Sequence, residues 1–292
     1  MKPASFDYHR PQTIEAALDL LARYGEAAKP IAGGQSLGPM LNMRLARPEH
    51  LVDLNDLVEL DYVRETDTEL EIGALTRHHR VANAVEVGRS HPLLASAAST
   101  IGHYPIRQRG TLGGSLVHAD PAAQLPLIAV LGNAKIIVRG QSGTREIEAG
   151  DFFKSVMTVD LRYGEMVIAV RFPKLLPGTG WAFDMFSRRR GDFAIVAVAA
   201  TLRLGDEGHQ PVIEMALGGV DAVPLRLDLG DWFENRDITA AGWTREAAAH
   251  VAATISPEDN KMVPADFRRE IADMLCENVL TAAIARARGE TP

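Results

Sequence analysis

Apolar residues recur three or four positions apart between residues 14 and 21, which predicts a helix with one apolar face. Thr13 is a suitable N-cap for this helix, and Gly25 is a suitable stop. Similar patterns predict strands at residues 28–32, 51–54, 69–75 and 167–172, helices at 37–45, 92–101 and 125–131, and a hairpin with a four-residue turn at 140–143. Strands and helices thus alternate in the N-terminal part, as in an α/β architecture.

The C-terminal part has another order, because alternating apolar stretches come first and helices follow them. Strands of an antiparallel sheet are predicted at residues 181–186, 195–204 and 212–217, and an alanine-rich helix at 245–255. Asp266 is a candidate cap for a final helix whose apolar residues are Ile271, Met274, Leu275 and Val279. Proline and glycine accumulate around residues 173–180, as at a linker. We therefore predict an α+β protein with domains at 1–176 and 177–292.

Composition narrows the class of ligand and the expected setting. The 292 residues carry a net charge of −7, whereas non-specific nucleic-acid binders concentrate Lys and Arg, so we expect a small ligand and no nucleic acid. Cys276 is the single cysteine, which excludes an intrachain disulfide and a Cys-rich zinc or iron–sulfur site. We see neither the apolar core of a signal peptide nor a membrane-spanning stretch, so we expect a cytoplasmic protein.

Two glycine loops carry the clearest chemistry: Ala-Gly-Gly-Gln-Ser at residues 32–36 and Thr-Leu-Gly-Gly-Ser at residues 111–115. Paired glycines permit positive φ and close approach of a ligand, so consecutive amides can converge on one anion. Two such loops favour a dinucleotide, although either pair alone is also explained by a tight turn. Neither G-x-G-x-x-G after a strand nor G-x-x-x-x-G-K-[ST] occurs, which excludes Rossmann and P-loop interpretations.

The loops and two further motifs carry a resemblance to a known family. The motifs are residues 32–37, 106–115, 118–121 (His-Ala-Asp-Pro) and 188–194 (Arg-Arg-Arg-Gly-Asp-Phe-Ala). Together they resemble the FAD-binding medium subunit of molybdenum hydroxylases of the carbon monoxide dehydrogenase and xanthine dehydrogenase type. The resemblance implies a two-part α/β FAD-binding domain of the PCMH type, followed by an α+β C-terminal domain of the carbon monoxide dehydrogenase flavoprotein type.

The resemblance also implies a set of FAD-binding residues, with loop amides as donors to the diphosphate. The set is Ala32, Gly33, Gly34, Gln35, Ser36, Leu37, Ile101, Thr111, Gly113, Gly114, Ser115, Asp120, Leu161 and Phe193. Asp120 is equally explained as an N-cap with Pro121 at the first helical position, and Leu161 and Phe193 as core residues. The sequence departs from relatives at Gln108, Met185 and Phe193, where Asn, Lys and Tyr are frequent.

What the resemblance implies about function is electron transfer by FAD, with no catalytic acid or base in this chain. The implied partners are a large subunit with the molybdenum cofactor and a small subunit with two [2Fe-2S] clusters, in a dimer of heterotrimers. The substrate, whether carbon monoxide, a purine, an N-heterocycle or an aldehyde, stays open, as does the acceptor, whether NAD, oxygen or a quinone. Two alternatives remain: a stand-alone reductase similar to the enolpyruvyl sugar-nucleotide reductase, and a flavin-free scaffold.

Three other features have simpler interpretations. His78 and His79 would point to opposite faces of a strand and lack a carboxylate cluster, so we expect no metal site. The run Arg188–Arg190 is either a solvated surface or a contact for an anionic acceptor or an acidic partner. Cys276 lies within an apolar helical pattern and is expected in the core.

Overall fold

A computed structural model of the chain describes residues 2–205, 211–227, 229–233, 236–238, 240, 242–259 and 263–291. They form two compact units. The first contains residues up to Ala119 together with Asn133–Pro173, and the second contains Asp120–Gly132 together with the residues from Lys174 onward. The chain thus leaves the first unit after Ala119 and returns to it at Asn133.

Strands and helices are numbered in chain order, apart from 3₁₀ turns at Gly25–Ala27 and Val58–Leu60. The strands are β1 Asp7–His9, β2 Ala28–Ile31, β3 His50–Asp53, β4 Val63–Glu65, β5 Glu69–Gly73, β6 Lys135–Gly140, β7 Gly143–Glu148, β8 Phe153–Ser155, β9 Thr158–Val159, β10 Met166–Pro173, β11 Gly180–Phe186, β12 Val196–Arg203, β13 Val212–Gly218 and β14 Leu225–Leu227. The helices are α1 Ile14–Tyr24, α2 Leu37–Asn42, α3 His78–Asn83, α4 Val85–Ser90, α5 Pro92–Ser99, α6 Tyr104–Arg109, α7 Leu112–His118, α8 Gln124–Leu131, α9 Ala149–Phe152, α10 Gly230–Phe233, α11 Trp243–Thr254 and α12 Ala265–Ala287.

A small parallel sheet and helix α1 begin the first unit. Its strand order is β1-β3-β2, and β3 pairs in parallel with both neighbours. The Thr13 hydroxyl accepts a hydrogen bond from the amide of Ala16 at 3.2 Å, and Gly25 ends α1 with a φ of 49°. The apolar face of α1 is buried in one cluster with Val52 and Leu57. These observations confirm the predicted cap, apolar face and stop.

The first unit also contains a five-stranded antiparallel sheet. Its order is β4-β5-β10-β6-β7, so the apolar strand β10 lies in the middle. Val170 and Phe172 of β10 are fully buried, as expected for a central strand. Strands β6 and β7 pair up to Gly140 and Gly143, which confirms the predicted hairpin and its four-residue turn.

Several elements end earlier than their apolar patterns suggest. Helix α2 ends at Asn42, because Arg44 adopts a left-handed φ of 57°. Strand β5 ends at Gly73, where a β-carbon would lie 2.2 Å from the carbonyl oxygen of Leu60. Helix α5 ends at Ser99, so Ile101 follows it in a turn.

The second unit is built on a four-stranded antiparallel sheet of order β11-β12-β13-β14. The three predicted strands and two predicted helices are all present, and the short strand β14 is an addition. Helix α12 packs against α11, β11 and β12, and Cys276 is fully buried among them, as predicted. Burial raises the pKa of the Cys276 thiol to about 12. None of the helices in the described ranges is long and apolar enough to cross a membrane.

Two predicted helix caps are wrong. The helix after Asp120 begins only at Gln124, and the Asp120 carboxylate instead accepts a hydrogen bond from the amide of Ala122 at 2.9 Å, forming a turn. Asp266 lies inside α12, which begins at Ala265, and pairs with Arg269 at 2.7 Å. An Asp side chain can bond to a nearby amide in a turn or cap the start of a helix, and the same short sequence pattern is compatible with both roles.

Met274, which was assigned to the apolar face of the final helix, is 42% exposed. The buried positions of α12 instead include Ile271, Leu275 and Val279 from the prediction.

Helix α12 packs its backbone directly on the first residue of β11, which makes Gly180 a sensitive position. A β-carbon there would lie 1.9 Å from the carbonyl oxygen of Ala283. We expect Gly180→Ala to lower the free energy of unfolding of the second unit by about 1–3 kcal/mol, because the backbones must separate. Urea unfolding followed by tryptophan fluorescence measures this, since all three tryptophans lie in that unit. Gly150→Ala, whose methyl meets nothing within 4 Å, is the control, and equal midpoints would contradict the expectation.

Candidate FAD site

The first glycine loop, residues 32–37, runs from β2 into α2 and presents unpaired amides. Gly34 has a φ of 68°, and its carbonyl oxygen accepts a hydrogen bond from the amide of Gly38 at 2.9 Å. The amides of residues 34–37 have no acceptor within the described part of the chain. Successive free amides around a left-handed residue form a concave site for an anion. The loop therefore fits one diphosphate group of a dinucleotide.

The second glycine loop, residues 111–115, is built differently, because its amides are already bonded. The bonds run from Leu112 to the Thr76 carbonyl (3.0 Å), from Gly113 to the Ala74 carbonyl (2.8 Å), from Gly114 to Oγ1 of Thr111 (3.1 Å) and from Ser115 to the Thr111 carbonyl (3.0 Å). The expectation that these amides donate to a ligand needs correction. What this loop offers outward is the half-buried Ser115 and the exposed surface of Gly114.

The two glycines of each pair differ in environment. Gly33 and Gly113 are buried, and β-carbons there would lie 2.1 Å from the Arg109 carbonyl oxygen and 2.7 Å from the Ala74 β-carbon. Gly34 and Gly114 are more accessible, and of the four only Gly34 has a positive φ. The first glycine of each pair therefore permits close packing against the protein, whereas the second remains accessible at the surface. Positive φ, proposed for both pairs from the sequence, applies to one residue.

Gly33 packs against Arg109, which lies two residues before the second loop. Gly33 also lies against the α-carbon of Gly110, the residue immediately before the second loop. The first loop thus packs against the residues that lead into the second loop, although the two loops are about eighty residues apart in the sequence.

His78 holds the start of the second loop through hydrogen bonds from its side chain and its backbone. Its Nε2 lies 2.8 Å from the carbonyl oxygen of Thr111, and since a carbonyl accepts, Nε2 carries the proton. Its backbone amide donates to the Gly110 carbonyl at 2.9 Å. Nδ1 is buried without a hydrogen-bond partner in the described structure. Burial lowers the pKa of His78 to about 4, so the ring is neutral at neutral pH.

The interpretation of His78 and His79 as strand residues is wrong, because both lie in helix α3. His78 is buried, and His79 contacts the ring of Tyr104 edge-on at 5.4 Å. Among the described residues, no group of three His, Cys, Asp or Glu side chains is placed to hold a metal ion.

Ile101 and Leu161 also belong to the first unit. Ile101 is half-buried, and its carbonyl oxygen accepts a hydrogen bond from Arg107 at 2.9 Å in the segment that leads to the second loop. Leu161 is half-buried and lies two residues after the end of β9, which packs against α7.

Asp120 and Phe193 belong to the second unit, where a hydrogen-bond network connects their segments. The amide of Gly219 donates to the Pro121 carbonyl at 2.9 Å, and Arg268 donates to the carbonyls of Gly219 and Ile195. Phe193 is 55% exposed, which rules out a core role for it.

Met185 and the arginine run complete the residues singled out in the second unit. The Met185 sulfur accepts a hydrogen bond from the buried side chain of Gln124 at 3.3 Å. The run Arg188–Arg190 is exposed, and its proposed contacts stay predictions.

Two residues that were not predicted from the sequence, Asn55 and Arg77, bond to each other, and Asn55 also bonds to the first loop. Asn55 donates to the Ala32 carbonyl at 2.9 Å, and Arg77 donates to Oδ1 of Asn55 at 2.7 Å. A signal was present, because Asn55 lies two residues after the carboxyl end of a parallel strand, where α/β sheets place ligand sites.

The buried His78 makes stability depend on pH in a defined direction. Its folded-state pKa of about 4 lies below the ordinary 6.5, so the stabilisation is complete above pH 6.5 and is lost as pH falls through 4. The loss is of the order of 3 kcal/mol for this residue. We expect His78→Gln, whose amide can still donate to Thr111, to flatten the pH dependence of the thermal midpoint. Part of the slope should remain from His91, whose pKa burial also lowers to about 4. An unchanged slope in His78→Gln would contradict this assignment.

Comparison with known proteins extends over almost the whole chain. Residues 4–175 match the family described as the FAD binding domain in molybdopterin dehydrogenase, and residues 181–283 match the CO dehydrogenase flavoprotein C-terminal domain. The 6-hydroxypseudooxynicotine dehydrogenase complex subunit alpha of Paenarthrobacter nicotinovorans is 38% identical over 99% of this chain and 97% of its own length. The carbon monoxide dehydrogenase medium chain of Hydrogenophaga pseudoflava is 33% identical over 98% of this chain and 99% of its own.

Solved structures agree with these matches. A carbon monoxide dehydrogenase structure from Hydrogenophaga pseudoflava superposes with a TM-score of 0.92 at 33% identity, covering 98% of this chain and 99% of that one. Quinoline 2-oxidoreductase from Pseudomonas putida 86 gives a TM-score of 0.91 at 31% identity and covers both chains completely. The free amides of the first loop and the close contact of the two loops fit a dinucleotide. The chain is therefore an FAD-dependent oxidoreductase subunit and belongs to the family of FAD-binding medium subunits of molybdenum hydroxylases of the carbon monoxide and xanthine dehydrogenase type.

Proposed function

We propose that this chain carries electrons from [2Fe-2S] clusters of a small partner subunit to an external acceptor, through its FAD. A large partner subunit with the molybdenum cofactor would oxidise the substrate, and the three subunits would assemble as a dimer of heterotrimers in the cytoplasm. The names of relatives support a multi-chain enzyme, since they include a medium chain of carbon monoxide dehydrogenase and a subunit of a dehydrogenase complex.

The observation that carries the proposal is the run of free amides at residues 34–37 beside the second loop. We assign the diphosphate to these amides, with Ala32 and Gly33 shaping the same turn. Charge-assisted hydrogen bonds from backbone amides are worth about 1.5–3 kcal/mol each, so several of them hold a dinucleotide without a lysine.

The remaining assignments follow the predicted set. Thr111, Gly113, Gly114 and Ser115 form the second wall, where Gly114 leaves space and Ser115 supplies a hydroxyl group. Ile101 and Leu161 are half-buried apolar side chains suited to the cofactor's apolar parts. In the second unit, the carboxylate oxygens of Asp120 would accept bonds from ribityl hydroxyls, and the exposed ring of Phe193 would suit an aromatic ligand.

The chain's own residues bind and orient rather than transfer protons. FAD, when bound, supplies the ability to accept electrons one at a time and to release two. His78, the ionisable side chain buried under the second loop, is neutral and donates through Nε2 to a backbone carbonyl. It therefore acts as a support for the loop.

Purification of the tagged chain from its own cells tests the proposal. We expect FAD, molybdenum and iron to elute together in comparable amounts, and we expect the flavin absorbance to bleach after the iron–sulfur signal when the complex is reduced anaerobically. FAD without either metal, combined with reduction of an enolpyruvyl sugar nucleotide by the isolated chain, would contradict the proposal and identify a stand-alone reductase. A complex that contains molybdenum and iron but no FAD would identify a scaffold.

The contact between the loops gives a second test. Gly33→Ala places a methyl group 2.1 Å from the Arg109 carbonyl oxygen, so the loops must separate. We expect FAD affinity to fall about tenfold or more, which corresponds to roughly 1.4 kcal/mol. Fluorescence titration of the apoprotein with FAD measures the loss. The matched control is Gly88→Ala on α4, where the methyl meets nothing within 4 Å, and wild-type affinity in Gly33→Ala would refute the packing argument.

A further inference from the structure

A single line of hydrogen bonds connects the first loop to Arg109, which lies two residues before the second loop. Nδ2 of Asn55 donates to the Ala32 carbonyl at 2.9 Å, and Oδ1 of Asn55 accepts from Nη2 of Arg77 at 2.7 Å. Nη1 of Arg77 donates to the Arg109 carbonyl at 2.5 Å. The first carbonyl belongs to the first loop, and the second is the oxygen that excludes a side chain from position 33.

The orientation of Asn55 in this line is determined by its other partner. Oδ1 of Asp53 accepts from both the backbone amide and the side-chain Nδ2 of Asn55, at 3.0 and 2.5 Å. Nδ2 is therefore the donor toward Ala32, and Oδ1 is left for Arg77. Asp53 is the last residue of β3 and also accepts a hydrogen bond from the Tyr8 hydroxyl, so the line begins on the parallel sheet.

Arg77 is held at the other end by its backbone. It precedes α3, and its main chain forms an antiparallel bridge with Thr111, the first residue of the second loop. The guanidinium thus reaches from one loop back to the other. Burial lowers the pKa of Arg77, but a guanidinium stays protonated in proteins. A full positive charge therefore lies next to Asn55 and the Arg109 carbonyl.

The charge acts on an anionic ligand at the loops. It attracts the diphosphate through a medium of lower polarity than water. The loops contain no lysine or arginine of their own at residues 32–37 and 111–115.

We propose that Arg77, oriented by Asn55, is a positioning residue that sets the spacing of the two loops and supplies the positive charge behind the FAD diphosphate. The inference rests on the proposed assignment of the diphosphate to the first loop.

The test compares Arg77→Met with Arg80→Met in the full-length chain. Arg80 lies one turn along α3 and pairs with Asp61 at 2.9 Å on the surface, so it controls for the loss of an arginine from this helix. We expect the FAD dissociation constant of Arg77→Met to rise about tenfold or more, with faster FAD release, whereas Arg80→Met stays within about twofold of wild type. A role in folding alone would instead lower the thermal midpoint of the apoprotein and leave the affinity of the folded fraction unchanged.

Chemical rescue separates charge and position from general stability. Adding guanidinium ion at low concentration to Arg77→Ala should restore FAD affinity in part and should not restore Gly33→Ala. Affinity is expected to fall less in Arg77→Lys than in Arg77→Met, because an ammonium group keeps the charge but cannot hold both partners.

A double-mutant cycle covers the case in which Arg77→Met is unstable. Asn55→Ala and Arg77→Ala should be strongly non-additive in FAD affinity, because either change breaks the same line. Additive losses, or wild-type affinity and release in Arg77→Met, would overturn the inference while the FAD site itself stands. Failure of the wild-type apoprotein to bind FAD would instead overturn the assignment on which the inference rests.

Discussion

The carbonyl oxygen of Arg109 occupies the place where a side chain of residue 33 would begin. Hydrogen bonds from several elements of the first unit hold the two segments that meet there. The connection between β5 and α3 holds the second loop through hydrogen bonds to Ala74 and Thr76 and through His78. Asn55 holds the first loop from the end of β3. Separate sheets thus each supply one side of a single backbone contact. Since protein interiors tolerate neither gaps nor overlap, this contact has one stable geometry.

The two loops differ in what they offer to a dinucleotide. The first loop keeps its amides free and is suited to an anion, whereas the second uses its amides to stay attached to the protein and presents a glycine and a hydroxyl group. Such a division suits a subunit whose chemistry resides in its cofactor. The protein then contributes affinity, orientation and a fixed electrostatic environment, and its buried histidine is a support.

Elements determined by short-range patterns were predictable. Helix α1, with Thr13 and Gly25 at its ends, and the strands of the second unit follow from spacing and caps that neighbouring residues define. Predictions failed where one local pattern suits two structures. Asp120 followed by proline suits a helix cap and a turn equally, and His78, the first residue of α3, lies shortly after the end of β5, where a short pattern suits a strand or a helix. The composition of the glycine loops predicted the site, but their hydrogen bonds could not be assigned from it.

Motif content alone was sufficient to identify the family and FAD, because paired glycines in two contexts, together with the residues around Asp120 and Phe193, form a specific combination. Tertiary structure decided which amides are free, why Gly33 and Gly113 must be glycine, and that Asn55 and Arg77 connect the loops. The reason is that these properties depend on groups that are distant in the sequence. Arg109 lies far along the chain from Gly33, and no local pattern records that their backbones touch.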